Sequence, residues 1–423
     1  MKFIIDNVSK VNHADIDANG ITVVAGYNNT GKTTILRSMD ILLKSYTNIK
    51  ENILAERKRS VRQVVRKQDL YFDKNGFEDL SIGVLYDIEN LVVKEMKDEQ
   101  SEKISFDTFH DIYINVIDNC GELDKGSELY DKAVSEEFAR GLYKEIEKVF
   151  DRKDEIYMNY IVELNIRKEF NNQAVNLKNY LESRITLENG DNKAEVVFSN
   201  NKLLSEYGSE LGSSSVIYLE TKNILDDLNN RPMQGGTNEL MRMLKKEQVF
   251  DSREISFETY SETESNLQSL EDIFSEVIHG RLYNESGTVK FLEDNIEQPI
   301  NIKNVASGMK IFLILQRLIA NGSLSEHSWI LIDEPETNMH PEWHLKFAET
   351  LILLKLKMDI NVVVSSHSPY FIRALELKLA DYGIKDLGSF YLMEEKDNSF
   401  FAKNVTESTD EIYKQLYKPL DMM

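Results

Sequence analysis

The run Gly26-Tyr27-Asn28-Asn29-Thr30-Gly31-Lys32-Thr33 constrains this chain more than any other stretch. It fits the pattern G-x-x-x-x-G-K-[ST], and it stands between an apolar, β-branched run at residues 21–26 (ITVVAG) and a helical pattern from Gly31 to about Leu43. A loop at such a junction wraps phosphates with successive backbone N–H groups, and the partial positive charge of the helix N-terminus adds to the attraction. The expected order is therefore strand, phosphate-wrapping turn, helix. Gly26, Asn28, Asn29, Thr30, Gly31, Lys32, Thr33 and Thr34 are the candidate phosphate-binding residues. Lys32 would reach the β- and γ-phosphates, and the Thr33 hydroxyl would ligate magnesium. The bland alternative is a Gly-rich turn that matches by chance; the flanking strand and helix weigh against it.

The rest of the chain supplies a context of alternating elements. Residues 2–8 read as a strand, with Gly20 turning the chain into the run at 21–26. Alternating apolar positions predict further strands at Leu80–Val93 and Ile112–Ile117. From Glu128 to Glu182 the pattern turns helical, with Phe138, Leu142, Ile146, Val149 and Phe150 at near-helical spacing and no Pro. That segment reads as an inserted arm or lid. Strands are expected at Ala194–Phe198 and Ser215–Glu220, helices near Asn238–Val249 and Glu258–His279, and a hairpin at Leu282–Ile302. Helices from Ser307, Pro341 and Pro369 then alternate with strands at Trp329–Ile332 and Asn361–Val364. The expected organisation is an α/β head in two pieces, 1–120 and 281–423, with a helical arm at 121–192 and return strands with a lid at 193–280.

Composition sets limits on partners. The 423 residues carry 50 Lys plus Arg against 72 Asp plus Glu, a formal charge of -22, with 41% hydrophobic residues. Such a chain is globular and acidic, with enough apolar content for a large core. The single cysteine, Cys120, leaves no internal disulfide and no zinc cluster. The N-terminus does not read as a signal peptide and no apolar run reaches membrane-spanning length, so a cytoplasmic protein without a membrane partner is expected. The acidity argues against a surface that coats nucleic acid indiscriminately. One basic island stands out: Lys50, Arg57, Lys58, Arg59, Arg62, Arg66 and Lys67 against Glu51 and Glu56. It could grip nucleic-acid phosphates; its bland reading is a solvated helix face.

Three more segments carry candidate chemistry. Trp329-Ile330-Leu331-Ile332-Asp333-Glu334 is an apolar strand ending in two carboxylates. Asp333 is placed to organise magnesium, and Glu334 to polarise an attacking water; alone, the pair could equally cap the next helix. Ser307-Gly308 precedes an amphipathic helix with Phe312, Leu315, Leu318 and Ile319 on one side, a second anion site or an ordinary Ser N-cap. His367, just past the strand Val362-Val363-Val364, could hydrogen-bond a γ-phosphate or the attacking water, although a lone His there is more often structural.

The order of these motifs, GYNNTGKTT, NVASGMK, WILIDEPETNMHP and VVVSSHSP, resembles the nucleotide-binding head of ABC-type P-loop ATPases. Within that group it is similar to the SMC-like branch that includes the OLD-family and related AAA-labelled ATPases of bacterial phage defence. The resemblance covers residues 1–45 and about 280–423, and the middle only as an inserted arm. It implies that Lys32 and Thr33 bind the phosphates and Mg2+ of ATP, that Asp333 helps hold the metal, that Glu334 is the general base and that His367 is the switch histidine. It implies further that Ser307 and Gly308 act in trans on ATP sandwiched in a homodimer, or in a higher oligomer. Thr337-Asn338-Met339-His340 takes the place of the dimer-contacting D-loop.

Met309 and Lys310 replace the second Gly and the Gln of the transporter signature, which weakens a transporter reading. The magnesium-coordinating Gln of the family has two candidates, Gln63 and Gln68. Only 56 residues follow His367, and none of the later aspartates is spaced D-x-D, so a separate nuclease or toxin is expected as effector rather than a nuclease in cis. The implied role is the sensor or motor subunit of an anti-phage system. Rival expectations are a RecF-like or SMC-like DNA repair ATPase, and an ATP-gated scaffold that holds a toxic partner with little turnover.

Overall fold

The computed structural model describes residues 1–75, 77, 82–96, 103–171, 173–174, 182–199, 202–212, 214–220, 225, 228, 239–246, 270, 272–285 and 288–418. The chain divides into two compact units, one made of Met1–Thr47 with Asn165–Met423 and the other of Asn48–Leu164.

The first unit is built on thirteen strands: β1 (Lys2–Val8), β2 (Val11–Asp17), β3 (Ile21–Ala25), β4 (Ser183–Asn189), β5 (Asn192–Ser199), β6 (Lys202–Gly208), β7 (Val216–Glu220), β8 (Gly280–Glu285), β9 (Thr288–Glu293), β10 (Trp329–Asp333), β11 (Asn361–Ser366), β12 (Gly388–Lys396) and β13 (Ser399–Asn404). Eleven of them form one sheet in the order β6-β5-β4-β1-β2-β13-β12-β3-β11-β10-β7, and β8 pairs with β9 as a separate hairpin. The run β12-β3-β11-β10-β7 is parallel throughout. On the other side, β6-β5-β4-β1-β2 is antiparallel.

Parallel strands need cover on both faces, and β3 is buried along its whole length while β10 and β11 are buried but for one residue each. Residues after β3 form the helix Lys32–Tyr46, and the helices Ser307–Ala320, Pro341–Met358 and Pro369–Asp381 flank the later strands in sequence. Phe312, Phe347 and Phe371, one from each of these last helices, are fully buried and stack edge to tilted at 5.2 and 6.0 Å between ring centres. Register then does the functional placing. Ser366 pairs with Ala25, Asp333 with Ser365, and Glu220 with Asp333, so the strand ends that carry the motifs lie in one row.

The second unit is helical among its described residues. The strands expected at 80–93 and 112–117 are helices, Ile82–Glu95 and Phe106–Asn119. In the first, Val84, Leu85, Ile88, Val92 and Val93 are buried, spaced one helical turn and two turns apart. In the second, Phe109, Tyr113, Val116 and Ile117 follow the same rule. Both runs are apolar enough to match a period of two by accident. The expected Phe138–Phe150 periodicity does belong to a helix, Glu136–Phe150, and those five residues together with Ala139 are its buried face. Strands β4, β6, β12 and β13 were not expected. The helix expected near 238–249 is present as Glu239–Lys245, and most of the one expected at 258–279 lies outside the described residues. No described helix is long and apolar enough to cross a membrane.

Candidate active site

The phosphate loop is closed by its own side chains. Gly31 has φ 98°, and a Cβ there would lie 2.6 Å from Val11 Cγ2, so only glycine fits this turn. Asn29 also sits in the left-handed region, at φ 69°. The first helical hydrogen bond runs from Ile35 N to Gly31 O, leaving the amides of Lys32, Thr33 and Thr34 ahead of the helical ladder. Gly26 N donates to Ser366 O at 3.2 Å, tying the loop to β11. Thr30 Oγ1 and Lys32 Nζ both donate to Tyr27 O, at 2.8 and 2.9 Å. Asn28 and Asn29 are exposed, Asn29 accepting a hydrogen bond from Lys10.

Thr33 Oγ1 donates to Asp333 Oδ2 at 2.8 Å, and Ser365 Oγ donates to Asp333 Oδ1. Glu334 N in turn donates to Ser365 O at 3.1 Å and Oγ at 3.2 Å. A hydroxyl and a carboxylate at this distance are hard oxygen donors that suit Mg2+ held jointly with nucleotide phosphates. Among the described residues no group of three or more His, Cys, Asp or Glu could hold a metal ion by itself.

Glu334 adopts φ 51°, a conformation that costs a non-glycine residue energy. Its Oε1 lies 3.3 Å from Lys32 Nζ and 3.3 Å from His367 Nδ1. The structure therefore brings Lys32, Thr33, Asp333, Glu334 and His367 together.

Glu336 was missed from the sequence. It is buried, and its Oε1 accepts from Ser366 Oγ at 2.7 Å, His367 N at 3.0 Å and Ser368 N at 3.2 Å. Burial pushes its carboxyl upward, against the pull of those donors and of His367. The available signal was a second glutamate two residues past the first in Asp-Glu-Pro-Glu. Its donors come from 30 to 32 residues later, which no local pattern reveals.

Ser307 and Gly308 open the helix Ser307–Ala320, but Ala306 is its N-cap and no side chain caps it, so the ordinary Ser N-cap reading fails. Ser307 is exposed. Gly308 packs so closely on the Thr337–His340 segment that a Cβ would lie 2.6 Å from Asn338 O. Among the described residues no hydrogen bond joins Ser307 or Gly308 to Lys32, Glu334 or His367.

The remaining candidates lie in the second unit. Gln63 is exposed on the helix Ile49–Arg66, and Gln68 precedes the helix Asp69–Lys74. Much of the basic island is paired inside its own unit. Arg57 is buried against Asp154, Arg59 pairs with Glu56 at 2.6 Å, and Arg66 and Arg62 reach the buried Glu89 at 2.6 and 3.5 Å.

A phosphate loop after β3, an Asp-Glu pair at the end of β10 and a histidine after β11, converging at one end of a parallel sheet, define an α/β P-loop ATPase. More narrowly, the chain belongs to the AAA ATPase domain family, whose model matches residues 1–372. Among solved structures, it is similar to an SMC head bound to the C-terminal winged-helix domain of ScpA, with 10% identity, a TM-score of 0.46 and coverage of 97% of this chain and 98% of that one. It is also similar to the SMC head domain from Thermotoga maritima, with 9% identity, a TM-score of 0.40 and coverage of 96% and 98%. No curated protein matches the chain.

Proposed function

We propose that the chain is a Mg2+-dependent ATPase that hydrolyses ATP by in-line attack of water on the γ-phosphate. The observation that carries this reading is Glu334 Oε1 within 3.3 Å of both Lys32 Nζ and His367 Nδ1, joining three distant motifs in one cluster. The loop amides and Lys32 hold the phosphates, Lys32 exchanging Tyr27 O and Glu334 for phosphate oxygens. Thr33 and Asp333 would hold Mg2+, which supplies charge neutralisation across the β- and γ-phosphates when bound. Glu334, released from Lys32, orients and deprotonates the water, and His367 faces the same position. Positioning and electrostatics supply most of the acceleration.

ATP closes two copies of the chain face to face, with Ser307 and Gly308 of each on the nucleotide of the other. Supporting this, Ser307 is exposed and unspent as a cap, and Gly308 is pressed on the D-loop backbone. Light scattering of Glu334→Gln with Mg-ATP tests it. The mass should double, and Ser307→Arg should return it to that of one chain; an unchanged mass in Glu334→Gln contradicts the sandwich.

The biological role that the motif order supports best is the sensor or motor subunit of an anti-phage system in the cytoplasm, acting with a separate nuclease or toxin. The pairing of Arg57, Arg59, Arg62 and Arg66 within their own unit turns the choice of effector partner toward protein rather than nucleic acid. Plating efficiency of phage on cells carrying the gene with its neighbouring reading frames is the test. Protection lost with Lys32→Ala supports the role, and protection absent from the wild-type locus across a phage panel contradicts it.

A further inference from the structure

We infer that Glu336 is a positioning residue for hydrolysis, a clamp that fixes the turn carrying His367; the inference rests on the ATPase reading above. Strand β11 ends at Ser366 and the next helix begins at Pro369, so the turn runs from the last strand residue, Ser366, through His367 and Ser368. All three give a donor to one atom, Glu336 Oε1: the Ser366 hydroxyl at 2.7 Å, His367 N at 3.0 Å and Ser368 N at 3.2 Å. Ser368 is itself the N-cap of the helix, its hydroxyl accepting from Phe371 N at 3.3 Å. The turn is thus held from below by a buried carboxylate and from ahead by the helix.

The clamp reaches the chemistry through the imidazole. His367 Nδ1 lies 3.5 Å from the clamping oxygen and 3.3 Å from Glu334 Oε1, so the ring stands between the clamp and the candidate base. Displacing the turn displaces the ring relative to Glu334. Glu336 needs no contact with nucleotide for this, which separates its expected signature from that of Lys32. Loss of the clamp should lower turnover while leaving ATP affinity in place.

The test is a kinetic cycle on the full-length protein: phosphate release with Mg-ATP, and ATP affinity from a fluorescent ATP analogue. The variants are Glu336→Ala, Glu336→Gln, His367→Ala and the double variant Glu336→Ala/His367→Ala. Glu336→Ala should lower kcat about 10- to 100-fold, the scale of a misplacement of about 1 Å, with ATP affinity changed less than about threefold. Glu336→Gln, which keeps an acceptor oxygen, should recover most of that loss. Because the clamp acts through His367, the double variant should fall no more than about threefold below His367→Ala. Where Glu336→Ala does not fold, Glu336→Asp, whose carboxylate withdraws from the turn, replaces it in the cycle.

A purely structural Glu336 gives the opposite pattern: single losses that multiply in the double variant, or a folded Glu336→Ala with wild-type kcat. Either result overturns the inference while leaving the ATPase reading intact. Absence of turnover in the wild-type protein overturns the ATPase reading, and the inference with it.

Discussion

Lys32 Nζ lies 3.3 Å from Glu334 Oε1, with the lysine 3% exposed and the glutamate 28%. The lysine of the phosphate loop and the candidate general base form an ion pair, so under the proposed mechanism an arriving γ-phosphate would compete with Glu334 for the ammonium and free the carboxylate. Removing the lysine leaves a carboxylate that water still reaches, so Lys32→Ala should fold. It should lose about 1.5–3 kcal/mol of ATP binding, on the order of 10- to 100-fold in Kd, as for a charged hydrogen bond. Equilibrium dialysis with ATP checks this; unchanged affinity would place Lys32 outside the phosphate site.

Ser365 holds both sides of the carboxylate pair, donating to Asp333 Oδ1 and accepting from Glu334 N. Ser365→Ala frees Asp333 to rotate away from Thr33. The Mg2+ concentration for half-maximal turnover should rise about 10-fold, the scale of a lost partner behind a metal ligand. A magnesium titration of phosphate release reads it directly.

Gly308 marks a contact rather than a hinge. A Cβ there would meet Asn338 O at 2.6 Å and Met339 Cα at 3.2 Å, both backbone atoms that cannot swing aside. Gly308→Ala gains helix propensity, yet the clash should dominate and cost about 1–3 kcal/mol in urea unfolding. A stabilised Gly308→Ala would show that the two segments are not in contact.

Within the phosphate-loop helix, Asp40 is fully buried and receives Lys44 Nζ at 2.7 Å. Burial first, then the Asp40 charge, push the Glu169 carboxyl up from its ordinary 4.5 to about 7. A raised carboxyl binds more protons in the folded than in the unfolded chain, so stability falls as pH rises from about 4.5 through about 7 and then levels off. Glu169→Gln removes that titration. Between pH 5 and pH 8 it should lose less stability than wild type, by on the order of 1–2 kcal/mol after allowance for solvent screening. Equal slopes in urea unfolding across that range would sink the assignment.

What was legible in the sequence followed from where each signal lies. The strands β3, β10 and β11 announce themselves because each is a short β-branched run that stops at a turn bearing polar chemistry. The helices Ile82–Glu95 and Phe106–Asn119 did not, because a densely apolar segment satisfies both periods and only burial of Val84, Ile88 and Val92 on one face decides. The edge strand β6 is mostly exposed or half-buried, which blurs its pattern, and the hairpin β12–β13 takes its outer partners, β3 and β2, from the start of the chain, a placement that no local pattern shows. At the site, Lys32, Thr33, Asp333, Glu334 and His367 were nameable one by one from motif type. Glu336 was not, since its role depends on donors that only the β10–β11 register delivers.

The central claim is that Glu334 activates water against ATP held by the loop at Lys32, and phosphate release by wild type against Glu334→Gln tests it most directly. With Mg-ATP, wild type should turn over and Glu334→Gln should be about 10²- to 10⁴-fold slower, with ATP affinity equal or tighter. Equal rates in the two proteins, or no release by wild type above the protein-free rate while ATP still binds, would contradict the account.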